Sequence, residues 1–307
     1  MQTCPMATRS SEATAPIVEA TFSWEFISIT VIALFASLAF IWNGFVGLNW
    51  TPAFWFLFSV PTALFAISTY YRFRRPDEQK LIEFTLYMSL WLAFPIFAVR
   101  LTYLAVTLGF PMQDRFFLTA DMAMGFNWIV WDKFVYAHQL FYKIQSIAYF
   151  SSFWQPFLTI PILTLYGPRD RNGQLLSAML LALAATISVF GFMPARGPAF
   201  DAGIATNLDA IMIALRAKSA SPVPYNGIIC FPSFHTVMAI LFTWAHRGLR
   251  WTFIPFGLLN FLMLTAIPIF GDHYLVDMVA GAAIAIVSIL IMTRISRPSL
   301  MAMESTV

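Results

Sequence analysis

Two histidines and a carboxylate stand out by type and position. His273 precedes Asp277 by four residues in the stretch Gly271-Asp272-His273-Tyr274-Leu275-Val276-Asp277, and apolar runs enclose it on both sides. On a helix, positions i and i+4 share a face, so the two side chains can touch. A carboxylate against an imidazole fixes the ring's tautomer and raises its basicity. A second polar island, Pro232-Ser233-Phe234-His235, opens another hydrophobic run. A neutral imidazole backed by a carboxylate can attack phosphorus and form a covalent phosphoimidazole. A second histidine can protonate the leaving alkoxide and then activate the acceptor. Ser233 and the amides of a helix starting after it can hold phosphoryl oxygens, because a helix N-terminus suits an anion. Arg196, within Pro194-Ala195-Arg196-Gly197-Pro198, offers a guanidinium that spreads over the same oxygens. With arginine and helix dipoles neutralising the charge, this chemistry requires no metal and no cofactor.

The elements that must position these residues are apolar helices. Of the 307 residues, 59% are hydrophobic and only 11% charged, where a soluble domain carries about a quarter charged residues. That composition indicates a polytopic membrane protein. Its apolar runs do not alternate, which indicates helices and not a barrel. About eight spans are expected, near 24–46, 52–71, 81–106, 147–166, 175–192, 233–244, 251–270 and 274–292. The segment 111–143 is too charged to cross, and its aromatic residues suit a helix lying in the interface. Residues 1–22, polar and rich in Ala, Ser and Thr, read as a disordered cytoplasmic tail and not as a cleaved signal peptide. Residues 23–80 then form an N-terminal transmembrane pair, 81–295 a six-helix catalytic core and 296–307 a second cytoplasmic tail.

Basic clusters follow the second span (Arg72, Arg74, Arg75, Lys80), the fourth (Arg169, Arg171), the sixth (Arg247, Arg250) and the eighth (Arg294, Arg297). These ends lie on one side, which the positive-inside rule makes cytoplasmic. Arg196, Ser233 with His235, and His273 with Asp277 then meet at one level on the opposite face, although none of them enters the topology argument. Cys4 and Cys230 fall on opposite sides, so a disulfide between them is not expected. The net charge of +3 lies at loop ends and indicates no nucleic-acid partner.

Phe231-Pro232-Ser233-Phe234-His235-Thr236 resembles the second signature, Pro-Ser-Gly-His, of the type-2 phosphatidic acid phosphatase superfamily. His273-x-x-x-Asp277 resembles the end of its third. The closer likeness is to the branch containing fungal inositol phosphorylceramide synthase, which has an aromatic residue or leucine before the second-signature histidine. The animal sphingomyelin synthases share the His-Tyr-x-x-Asp arrangement. The resemblance implies that His273 is the nucleophile, Asp277 its orienting carboxylate and His235 the acid, within an all-α bundle of six core helices preceded by two others. Two departures concern phosphate-binding cations. Arg196-Gly197-Pro198 is a partial first signature with Val189 where a lysine is expected, and Ala266 and Ile267 replace the Ser-Arg that opens the third. Arg100, in the outer half of the third span, is the candidate replacement, since intramembrane arginines face an interior or a cavity.

These residues imply a lipid phosphotransferase or a lipid phosphate phosphatase acting at the non-cytoplasmic face. Its substrate is a phospholipid or lipid phosphate, and its acceptor a lipid alcohol in one case and water in the other. A bacterial inner membrane, with the site on the periplasmic face, is the expected location. The rival from another class is an inactive transporter or structural membrane protein on the same fold. Plainer roles stand beside the sharper ones: Ser233 as a helix cap, Arg196 as a snorkelling arginine, Arg100 as a structural ion pair or a carbonyl-bound arginine, and Asp272 as a solvated residue or a cap of the last helix. His138 and His246 are expected in loops or at the interface.

Overall fold

The computed structural model describes residues 24–49, 52–204, 206–218 and 227–296. The expected tails, Cys4 and Arg297 lie outside the described residues. Among the described residues the chain is all helix and turn, with no strand. The helices are α1 (Trp24–Val46), α2 (Pro52–Arg74), α3 (Gln79–Val106), α4 (Asp114–Ala123), α5 (Trp128–Ala137), α6 (Gln139–Tyr166), α7 (Arg171–Phe192), α8 (Pro198–Asp201), α9 (Asn207–Arg216), α10 (Phe234–Ala245), α11 (Arg250–Phe270) and α12 (Leu275–Ile295). Five of them, α1, α3, α7, α11 and α12, are long and apolar enough to cross a membrane. The other stretches expected to span are also helical. Among them, α2 and α6 carry internal prolines, and α10 has 12 residues.

The core is built on α3 and α7, which are mostly buried, while α1 is mostly exposed. The exposed apolar faces of α1, α6 and α11 suit lipid, where burying apolar side chains between helices brings no hydrophobic gain. Polar side chains join the inner faces instead. Gln155 Nε2 donates to Asn260 Oδ1 at 2.8 Å, and Gln145 Nε2 to the Thr265 carbonyl at 3.0 Å, which ties α6 to α11. His246 is fully buried at the end of α10, stacked on Phe256 and bonded to Thr159 and Thr252 at 3.2 and 2.9 Å. It sits in the turn after α10, as expected of a loop residue, but its side chain is packed in the core.

Two connections differ from expectation. The segment 111–143 is two short helices, α4 and α5, separated by a turn at Gly125 (φ +77°), and α6 already begins at Gln139. The long connection after α7 contains α8 and α9. Together α4, α8 and α9 gather over the bundle end where α10 and α12 begin. There α4 packs on α12 and on α8.

Candidate active site

The site forms where α10 and α12 start side by side. The first amides of a helix have no partner within it, and at α12 carboxylates take them. Asp277 Oδ2 accepts from Tyr274 N at 2.9 Å. Asp121, on α4, accepts from Leu275 N at 2.8 Å and Val276 N at 2.9 Å. His273 therefore precedes the helix, with Tyr274 as N-cap. Its contact with Asp277 comes from this capped turn and not from a shared helix face. His273 Nδ1 stands 3.3 Å from Asp277 Oδ2, and both residues are buried. The same oxygen receives the Cys230 thiol at 3.1 Å.

Ser233 caps α10, accepting from Thr236 N at 3.4 Å. Its own N–H donates to the Asp277 carbonyl at 2.9 Å, which joins the two helix starts. Gly281 permits the approach: a Cβ there would stand 2.3 Å from the Ser233 carbonyl oxygen. His235 lies in the first turn of α10. Its ring is stacked on Tyr149 with centroids 4.5 Å apart, and the phenol oxygen is 3.5 Å from Nδ1. The His235 and His273 ring centroids lie 6.1 Å apart in an edge-on arrangement, inclined at 69°.

The Arg196 turn rests on two further carboxylates. Asp114 Oδ1 accepts from Arg196 N at 2.7 Å and Gly197 N at 3.1 Å, and Asp272 Oδ1 accepts from Ala199 N at 2.8 Å. The Arg196 guanidinium lies over the Phe200 ring, with Nε 3.5 Å from Asp114 and 3.9 Å from Asp209. The Tyr274 hydroxyl donates to Asp201 at 2.6 Å, with Asp114 3.3 Å away. Arg100 is not with this group. It is buried against the end of α1, where its guanidinium donates to Asn43 Oδ1 and to the carbonyls of Leu48 and Asn49.

Burial sets the charge states of the turn. It lowers His273 to about 4, against a smaller upward effect from a hydrogen bond to the Cys230 backbone, so the ring is neutral at pH 7. It raises Asp272 to about 7, opposed by the Ala199 hydrogen bond and reinforced by Asp277, Asp114 and Asp209. Asp121 is also raised by burial and lowered by the two amides it caps. Cys230 Sγ, a ring nitrogen of His273 and an Asp277 oxygen lie within 4.8 Å of one another and are donor types that zinc accepts. Their mutual hydrogen bonds also account for the cluster.

Five of the six residues expected from sequence thus meet at one bundle end: His273, Asp277, His235, Ser233 and, at its rim, Arg196. Sequence reasoning does not single out Asp114, Asp121, Tyr149 or Cys230. A signal exists for the first two, since a spacing of seven puts Asp114 and Asp121 on one helix face.

A family model described as the PAP2 superfamily matches residues 115–291, more than half of the chain. The chain belongs to the PAP2 superfamily. This is the phosphatidic acid phosphatase type-2 group that the two histidine motifs resemble, and membership supports phosphatase- or phosphotransferase-type chemistry in a membrane. All the clustered residues except Asp114 fall inside the match, while Arg100 falls outside it. No curated protein and no solved structure gives a significant match to the chain.

Proposed function

We propose that this PAP2 protein transfers a phosphate-bearing group from a membrane lipid through a phospho-histidine on His273. The observation that carries the proposal is the neutral, buried His273 held on Asp277 with the His235 ring edge-on to it. With Nδ1 turned to the carboxylate, Nε2 is the nitrogen that attacks phosphorus. The P–O bond to the lipid alcohol breaks as the N–P bond forms, and His235 gives the departing oxygen its proton. In the second half His235 takes a proton from the acceptor, whose oxygen then displaces His273. The amides at the start of α10 and the Arg196 guanidinium, already balanced between Asp114 and Asp209, stabilise the equatorial oxygens.

The preferred acceptor is a lipid alcohol, as in the inositol phosphorylceramide synthase branch. Phe234 before His235, and Ile267 in place of the third-signature arginine, support this over water. Positive-inside counting supports a site on the non-cytoplasmic face, periplasmic in a bacterial inner membrane.

The test uses purified protein in mixed micelles, beside His273→Ala, with phosphate-labelled lipids and with or without a lipid alcohol. Label moving onto the alcohol is the expected result. Release of free phosphate at a rate indifferent to the alcohol makes the protein a phosphatase. Wild-type turnover by His273→Ala removes the nucleophile assignment. Absence of turnover on every lipid favours the inactive transporter or structural alternative.

A further inference from the structure

Asp277 carries more on one oxygen than an orienting carboxylate requires. Oδ2 takes the Tyr274 amide, stands 3.3 Å from His273 Nδ1 and also receives the Cys230 thiol at 3.1 Å, while buried Oδ1 has no hydrogen-bond partner. The charge that Oδ2 offers to His273 is therefore shared with two other donors.

Cys230 is the side-chain donor that shares this oxygen with His273. It lies at the end of the 227–230 segment, immediately before Phe231-Pro232-Ser233, and is 2% exposed. Its environment is the aromatic wall of Phe117 and Tyr274. A second contact, from Sγ to the Asp272 carbonyl at 3.6 Å, leaves the thiol between the backbone before His273 and the side chain after it. Burial pushes the thiol up, and neighbouring Asp277, Asp272 and Asp114 push it further, so sulfur keeps its proton and acts as a donor.

We propose that Cys230 is a positioning residue that acts through Asp277: its thiol donates to Asp277 Oδ2 and draws charge from the oxygen that faces His273 Nδ1. The inference rests on the assignment of His273 and Asp277 as the working couple. The thiol neither touches the phosphoryl group nor exchanges a proton in the reaction. It disperses part of the acceptor's charge, which limits how strongly Asp277 favours the imidazolium. The other charged or titratable groups near the couple are Asp114 and Asp121 from α4, Asp272 from the preceding turn and His235 from α10. None of them is altered by substitution at Cys230.

The experiment is a pH titration of ¹⁵N-histidine-labelled protein in micelles, read by NMR on the His273 ring and assigned with His273→Asn. It needs no turnover, so it fails or succeeds apart from the lipid assay. Wild type is compared with Cys230→Ala, Cys230→Val (which keeps side-chain bulk without a donor) and Cys230→Ser (which restores one). Losing the donor concentrates charge on Asp277 and stabilises the imidazolium. The His273 titration should therefore move up by about one unit in the Ala and Val variants and return in Ser. Turnover should fall about tenfold in Ala and Val and recover in Ser, with KM unchanged. A His273 titration identical in Val and wild type overturns the proposal, and so does a shift that Ser fails to reverse. A wild-type spectrum that changes with EDTA also overturns it, because the thiol would then be a metal ligand.

Discussion

Asp121 and Leu275 are joined by a 2.8 Å hydrogen bond from amide to carboxylate, across 154 positions of sequence. With the companion bond to Val276 it makes α4, an amphipathic helix lying over the bundle end, the cap of the helix that carries Asp277. Asp121→Ala leaves two part-buried amides without partners and should cost about 1–2 kcal/mol of stability. Because the same turn holds His273, turnover should fall with it. Asp121→Asn keeps one acceptor and should fall between the two. Thermal unfolding in micelles beside turnover checks this, and an Ala variant with wild-type values for both removes Asp121 from the site's support.

Gly197 is held in two ways. Its φ is +107°, which L side chains rarely adopt, and a Cβ would stand 2.6 Å from Asp272 Oδ2. Gly197→Ala should push the Arg196 turn off Asp272, weakening substrate binding more than fold. The expected signature is a raised KM with a small change in melting temperature. Unchanged KM would show that the turn does not position substrate.

Two titrations in one turn act on stability with opposite signs. His273 is lowered from 6.5 to about 4. Between those values the unfolded chain binds a proton that the folded chain refuses. Its contribution is complete above 6.5 and is lost as pH falls through 4. Asp272 is raised from 3.8 to about 7, so the folded chain binds the extra proton. Its contribution is complete below 3.8 and is lost as pH rises through 7. Asp272→Asn should therefore flatten the loss of melting temperature between pH 5 and 8 without altering the acid side. An unaltered alkaline slope would rule out Asp272 as its origin.

For the chemistry, kcat/KM should show no loss near pH 6.5 from protonation of His273, because burial keeps the ring neutral to about 4. Asp277→Asn should lower turnover by orders of magnitude through the wrong tautomer. Excess chelator should leave activity intact. A rate that collapses below pH 6.5, or one restored only by divalent metal, contradicts this mechanism.

The bundle and the two histidine islands are legible in the sequence because bilayer burial forces long apolar runs, and ionisable residues at their ends are costly. His273, Asp277, His235 and Ser233 could be paired from such ends alone. The supporting carboxylates could not. Asp114 and Asp121 act through backbone amides 82 and 154 positions away, and no local pattern encodes those contacts. The His273–Asp277 contact was legible for a partly wrong reason, since an i, i+4 spacing also serves a capped helix entry. Cys230 gives no sequence signal, because one buried thiol looks like any small apolar residue.

Arg100 separates a cost argument from a functional one. An arginine in an apolar helix must find partners, and the sequence offers phosphate as one. In the structure it finds the end of α1, where Asn43 Oδ1 and the carbonyls of Leu48 and Asn49 accept from it. These carbonyls lie in the turn that follows the C-terminal end of α1, where a cation is favoured. Asn43 Nδ2 in turn donates to the Leu48 carbonyl at 3.0 Å, so the arginine and the turn are ordered together. Arg100→Gln should leave the buried Asn43 Oδ1 without its donor and loosen the turn after α1, lowering the melting temperature by several degrees, a loss of about 1–3 kcal/mol. KM for the lipid should stay within about twofold, because no uniform binding energy to phosphate is removed. Arg100→Lys should recover only part of the stability, since an ammonium cannot reproduce the planar fork. If Arg100→Gln instead raises KM tenfold with unchanged melting, Arg100 serves the phosphate after all and the end of α1 belongs to the site.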